Sequence, residues 1–434
     1  MKKNDFPRIL FCALFIVFLI PVSSAFQQYS CLDFDPIVYG KSVQTVVSQD
    51  GKFIATGSPD SGTVTLFYPN GTSGWSYQTN DNITSIAISN DGGFVTAATY
   101  HGNLYYFDNS GKLLWNDTGF GCNNQVELSS DGRSGFVFNS GTKDHQDSDT
   151  TFYFDFNGTV LWKKNIPQLS VTAISSDAKN AVLGTRGHYG NDVIMISSTG
   201  SEEWRKKMAE NWKISGVVIS DDGTTVAAST DTRITLFSKW GTVTGNITPK
   251  YLVRSIGVSP EGMLIAAGTQ YQLICFNQSG MILWEYPLDD YVYHIEFSHN
   301  GQNLVVASRD TIYYFGRNGT CLWKSTLDSK LDSISISHNG EIIVVGTYNN
   351  LFDIIDQFGN TKKIDLGSIP TMPLPPVEPG LTVHTTFFSG NRSDTIAGET
   401  IQSLSETQET PLPSTIAITS LGICAVMAGY FRKK

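Results

Sequence analysis

A nine-residue phrase recurs along this chain: "FDNSGKLLW" from Phe107, "FDFNGTVLW" from Phe154, "FNQSGMILW" from Phe276 and "FGRNGTCLW" from Phe315. Each reads as a hairpin, an aromatic strand end, a turn on glycine and a short apolar return. Aligning on that glycine gives Gly71, Gly111, Gly158, Gly200, Gly241, Gly280, Gly319 and Gly359, at successive intervals of 40, 47, 42, 41, 39, 39 and 40 residues. A second landmark keeps phase with the first. It is a turn written "SQDG" at Ser48, "SNDGG" at Ser89, "SSDG" at Ser129, "SDDG" at Ser220, "SPEG" at Ser259 and "SHNG" at Ser298 and Ser337. "SSDA" at Ser175 is the copy without glycine. Two independent landmarks in fixed phase mark a repeat array.

Each unit reads as four strands. In the second, "TSIAIS" alternates, "FVTAAT" follows the Asp91-Gly92 turn, "NLYYFD" follows a polar loop and "KLLW" returns across Gly111. Asp-Gly and Asn-Gly suit hairpins because their central positions need positive φ, which glycine adopts without steric cost. Four strands per period near 40 residues predict an all-β fold, a single β-propeller whose blades bury their faces on one another. The repeats fill residues 38–367, giving eight four-stranded blades, or seven if the two ends share one.

The hairpin "D-x-x-G-x-x-x-W" resembles the tryptophan-docking motif of propellers related to pyrroloquinoline-quinone-dependent dehydrogenases, and "S-x-D-G" resembles the turn of WD-repeat propellers. Trp75, Trp115, Trp162, Trp204, Trp284 and Trp323 lie four residues past the glycine, whereas the fifth and eighth units, "GTVTG" and "GNTKK", lack the tryptophan. Asp stands three before the glycine at Asp108, Asp155 and Asp356, and the family's Ala and Thr positions are mostly missing. The resemblance implies structural tryptophans wedged between blades. Burying about 200 Å² of indole at roughly 25 cal/mol per Å² is worth up to ~5 kcal/mol each, before ordering entropy.

The two ends have other compositions. Lys2, Lys3 and Arg8 flank "ILFCALFIVFLIPV" and then "SSA", so residues 1–25 read as a secretory signal cut after Ala25. Residues 26–367 form the propeller body. Residues 368–413 carry seven prolines with many Ser, Thr and Glu, a stalk composition. Residues 414–431 hold no charge and at about 1.5 Å per residue span roughly 27 Å, close to a bilayer core. The basic end 432–434 would stay cytoplasmic, leaving the body outside. Both ends therefore predict a body exported and anchored in the cell membrane by a C-terminal helix. Signal, stalk and short basic-ended anchor together resemble archaeal envelope proteins, those of methanogens especially.

Lys plus Arg number 30 against 40 Asp plus Glu, a net charge of −10 with no basic block in the body, so nucleic-acid binding has no electrostatic footprint. No G-x-S-x-G elbow, H-E-x-x-H helix or phosphate loop occurs. A quinone dehydrogenase would need a central carboxylate base, a calcium site and, in that family, often a vicinal cysteine pair, which the body lacks. Its cysteines are Cys31, Cys122, Cys275 and Cys321, and an oxidising exterior would allow three pairings.

Length varies in the loops between second and third strands, long in the third unit ("NSGTKDHQDSDTT" from Asn139) and the fourth ("TRGHYGND" from Thr185). These loops, with their tyrosines, form the candidate binding face: Asp144, His145, Asp147, Asp149, His188, Tyr189, Tyr100, Tyr271 and Tyr348. Asp144, Asp147 and Asp149 alternate with polar residues and are calcium candidates; otherwise no cofactor is expected. Sequons at Asn70, Asn82, Asn116, Asn157, Asn246, Asn277, Asn318 and Asn391 are candidate N-glycosylation sites in an exported chain, although Asn is also a good turn former. The function expected is a non-catalytic, surface-anchored propeller that binds a protein, glycan or envelope partner. The alternatives are a quinone- or metal-dependent oxidoreductase and an envelope-assembly scaffold.

Overall fold

The computed structural model describes residues 42–79, 81–122, 124–139, 149–186, 191–208, 214–348 and 350–368. The chain divides into two compact units, Met1–Thr385 and Thr386–Lys434, and all described residues belong to the first. The segments read as signal, stalk and anchor lie outside the described residues, as do Asp144, His145, Asp147, His188, Tyr189 and Asn391. Among the described residues no helix is long and apolar enough to cross a membrane.

Among the described residues thirty-two strands form eight four-stranded antiparallel sheets, each built from four consecutive strands. The blades span residues 44–78, 83–118, 124–165, 169–207, 216–247, 253–287, 292–326 and 331–365. The count is eight, and the ends share no blade. Closure comes from the inner strand Gln44–Val47 packing beside the inner strand Leu331–Ile336 of blade 8, helped by an isolated bridge between Ser42 and Tyr348.

There is no single core. The buried side chains fall into eight clusters, one at each boundary between neighbouring blades. Between blades 1 and 2, Val64, Leu66 and Trp75 meet Val95, Tyr105 and Phe107; at the closure, Val43, Val47 and Phe67 meet Val344, Phe352 and Ile354. Middle strands such as Phe94–Thr99 and Leu264–Thr269 are buried on both faces, which explains their runs of Val, Ile, Ala and Thr.

The two repeated turns have separate physical reasons. In the serine turn, Ser48 Oγ donates to Asp50 Oδ1 at 2.7 Å while accepting from the Phe53 N–H, and Asp50 accepts from the Lys52 N–H. Blades 2 to 5 repeat this with Asp91, Asp131, Asp177 and Asp222, and blades 7 and 8 with Asn300 and Asn339. The copy without glycine puts Ala178 at φ 50°, its methyl group buried between blades 3 and 4. At the second turn, all eight hairpin glycines have φ between 73° and 86°.

Candidate functional site

Positive φ is only half of what the hairpin glycine does. A methyl group built on Gly111 would sit 2.6 Å from the Trp75 indole, and one on Gly158 would sit 2.9 Å from Trp115. In the six blades that carry one, the docking tryptophan thus lies on the hairpin of the next blade. Its Nε1–H donates to a carbonyl there: Trp75 to Asn109, Trp115 to Phe156, Trp162 to Ser198, Trp204 to Lys239, Trp284 to Arg317 and Trp323 to Gln357, at 2.7–3.2 Å. Trp75, Trp115 and Trp204 are buried, and Trp162, Trp284 and Trp323 are half-buried. Where blade 5 has Gly245 instead, the blade 6 hairpin closes onto its backbone, 2.9 Å from a Cβ at that position. Blade 8 substitutes Lys362, which donates to the Asn70 carbonyl, and Ile364 against Gly71. Trp240 belongs to another class. It precedes its glycine, stands 72 % exposed on the blade 5 hairpin, and carries Lys239 Nζ 4.6 Å above its ring.

Serine turns and glycine hairpins share one face of the ring. A circuit of backbone hydrogen bonds links the turns: Asp50 N–H to Asn90, Asn90 to Ser130, Ser130 to Ser176, Ser176 to Asp221, Asp221 to Pro260, and His338 to Gln49, at 2.6–3.2 Å. Pro260 has no N–H with which to continue it towards blade 7. There His299 takes over the channel mouth, its Nδ1 2.7 Å from Gln49 Nε2 and its Nε2 2.8 Å from Asp221 Oδ2. Beneath this bar lies a cavity of about 270 Å³ lined by Ala173, Val218, Asp221, Gly257, Glu296 and His299.

Glu127 and Glu296 hold the same register position, two residues before the turn serine, on blades 3 and 7. Four blades apart in a ring of eight, they stand on opposite sides of the channel. Each reaches the exposed edge of the next inner strand, Glu296 accepting from the Ile336 N–H at 3.3 Å and Glu127 from the Ile174 N–H. Ser85 and Ser335 serve the Val126 and Val47 N–H groups in the same way. Unpaired strand edges invite foreign pairing, and this one is covered by side chains from the preceding blade. Burial pushes both glutamates up to about 7, against the pull of those hydrogen bonds.

The opposite, loop face holds the remaining sequence candidates. Tyr100, Tyr271 and Tyr348 fall on blades 2, 6 and 8, so the ring spreads them apart. Tyr100 stands edge-on to His101, which pairs with Asp81 at 2.7 Å; Tyr271 is 46 % exposed and edge-on to Tyr251 at 5.2 Å. Asp149 is buried, its carbonyl accepting from the Ile166 N–H. Among the described residues no three His, Cys, Asp or Glu side chains are grouped to hold a metal ion. Asn70, Asn82, Asn157, Asn246 and Asn318 are exposed, Asn116 and Asn277 half-buried. Asn70 and Asn277 use their Oδ1 to brace the hairpin, accepting from the Thr72 and Ser279 N–H groups. Cys122 is disulfide-bonded, while Cys275 and Cys321 are free.

Eight interfaces between neighbouring blades, six of them docked by a tryptophan, and a channel spanned by a polar bar define a tryptophan-docked β-propeller. The family model described as outer membrane protein assembly factor BamB matches residues 60–237 and 192–354, more than half of the chain, and the chain belongs to that family. BamB from Moraxella catarrhalis is similar in structure (TM-score 0.52, 16 % identity), covering 74 % of this chain and 95 % of its own. So is Sqt1 from Chaetomium thermophilum, solved bound to the N-terminus of the ribosomal protein L10 (TM-score 0.61, 13 % identity, 74 % and 98 % covered). At those identities the likeness is one of fold. No curated protein matches the chain.

Proposed function

We propose that this chain is a non-catalytic binding and scaffold propeller, exported and held at the cell surface by residues 414–431, that captures a protein partner on its loop face. One observation carries the reading. The connections on the serine-turn and hairpin face are all four to six residues long, whereas those on the loop face run from two to ten. Loops released from the packing rule are where recognition concentrates. The disulfide at Cys122 favours an oxidising compartment. The assembly-factor description of the family favours a protein as the partner over a glycan.

The test uses the full chain at its own cell surface, with cross-linking and mass spectrometry of what is captured. Removing residues 140–148 should leave the melting temperature within a degree or two and abolish capture. Retained capture overturns the assignment of that loop. Ending the chain before Ser414 should release it into the medium; retention on membranes overturns the anchor. The second reading, a quinone-dependent oxidoreductase, stands on the family resemblance alone, and visible absorbance developing on adding quinone with calcium would favour it.

A further inference from the structure

The loop face is not uniform around the ring. Five residues before each turn serine, blades 2 to 5 carry the short polar residues Thr84, Asn124, Ser170 and Ser215, but blades 6 and 7 carry Arg254 and Tyr293, both exposed. Blade 8 has Asp332 at that position. Next to this pair the connections contribute Lys250, Tyr251, Tyr271 and Tyr291. Tyr251 stands edge-on to Tyr271 at 5.2 Å, Arg254 lies 5.4 Å from the Tyr291 ring centre, and Lys250 Nζ lies 5.1 Å from that of Tyr251. Leu252 and Tyr293 add exposed apolar surface at 40 % and 50 %.

Lys250 and Arg254 form no ion pair among the described residues, in a chain of net charge −10. Asp290 accepts from the Tyr291 N–H, and neither Asp289 nor Asp290 pairs with a cation among the described residues. Two cations parked on rings, without carboxylates, are ready for exchange: an incoming carboxylate gains a strong partner without breaking an existing salt bridge. Tyrosines give contact area at little entropic cost.

We propose that blades 6 and 7 dock an extended protein segment bearing carboxylates beside aromatic or aliphatic residues, with Arg254 and Lys250 taking its acids and Tyr251, Tyr271 and Tyr293 its apolar groups. This rests on the reading of the chain as a protein-binding platform, yet uses a different part of the face from the long loops of blades 3 and 4.

The probe is a labelled twelve-residue peptide of alternating Glu and Phe or Leu, followed by anisotropy against the full chain in detergent. Saturable binding is expected, weakened about tenfold or more by Arg254→Glu with Lys250→Glu, and similarly by Tyr271→Ala with Tyr293→Ala. Thermal unfolding of each variant separates lost binding from lost folding, and Thr84→Glu, at the same register on blade 2, should leave binding unchanged. Equal binding of a peptide with Lys in place of Glu overturns the proposal, as does indifference to the Arg254 variant. So does failure of the peptide where phosphatidylserine vesicles bind in an Arg254-dependent way, which would make the patch a lipid surface. Peptide binding that survives removal of residues 140–148 separates this site from the one proposed above, so either can fail alone.

Discussion

Trp115 of blade 2 donates its indole N–H to the carbonyl of Phe156 on the blade 3 hairpin, at 2.9 Å. The same ring stacks on Tyr106 of its own blade, with centroids 5.0 Å apart and planes 5° apart. One side chain therefore closes its own sheet and grips the next.

Trp115→Ala should cost about 3–5 kcal/mol, because it opens a cavity between blades and strands the Phe156 carbonyl. Chemical denaturation of the full chain measures it. A loss below about 1 kcal/mol would show that the indole is not the wedge between blades 2 and 3.

The partner of that grip gives a sharper experiment. Gly158→Ala combines a φ of 82° with a methyl group 2.9 Å from Trp115, whereas Gly119→Ala meets the backbone penalty alone, at φ 111° with nothing within 4 Å. Gly158→Ala should be the more destabilising by at least about 1 kcal/mol. Equal costs would mean that the glycine is kept only for its backbone conformation.

Glu127 and Glu296 give the ring an unusual pH response. A carboxyl raised by burial to about 7 binds its proton more tightly in the folded state than in the unfolded one, so folded protein holds more protons between about pH 4.5 and 7. Stability should therefore rise as pH falls from 8 through 7 towards 5. Below about pH 4 the trend reverses. Asp131 and Asp222 are opposed by burial but held below the ordinary carboxylate range by turn hydrogen bonds, and they lose those bonds on protonation. Glu127→Gln with Glu296→Gln should flatten the neutral part of the profile and leave the acid limb. An unchanged slope between pH 8 and 5 in that double variant would remove the two glutamates as its source.

Asp353 is a fault in the packing. It is 1 % exposed, its Oδ1 has no hydrogen-bond partner, and burial raises its carboxyl against the pull of Lys363. The same register in blades 4 and 6 holds Ile194 and Ile274. Asp353→Ile should stabilise the ring by about 1–3 kcal/mol at pH 7, removing a buried charge while filling its volume. A loss of stability would point to a partner that this carboxylate needs.

The ring was legible because its determinants are local and repeated. Gly111 and Trp115 lie four residues apart, and a glycine at each hairpin and a serine at each turn keep phase through eight units. Other features join residues that only the closed ring brings together. Glu127 and Glu296 look like isolated acids in the sequence until the blade count sets them across one channel. His299 reads as a turn residue, and its contacts to Gln49 and Asp221 come from blades 1 and 5. Arg254 and Tyr291 are separated by 37 positions, and Trp240 resembles a docking residue until its place before the glycine exposes it. The register comparison that singles out Arg254 and Tyr293 could have been made on the sequence, by aligning on the turn serine rather than on the hairpin glycine.

Because each blade is one uninterrupted stretch of chain, the ring carries a breech between blade 8 and blade 1. Seven boundaries are crossed by the chain itself. Among the described residues the eighth is shut by contacts, including the rings of Phe67 and Phe352 at 4.9 Å and Ser58 Oγ donating to Asn350. A pull on the chain beyond residue 368 would load that breech first, peeling blade 8 away and opening the circle into an arc that unwinds blade by blade. The same layout frees the choice of ends. A permuted chain, broken at another inter-blade connection and joined across the breech, would have the same eight interfaces and move the weak point with the new termini.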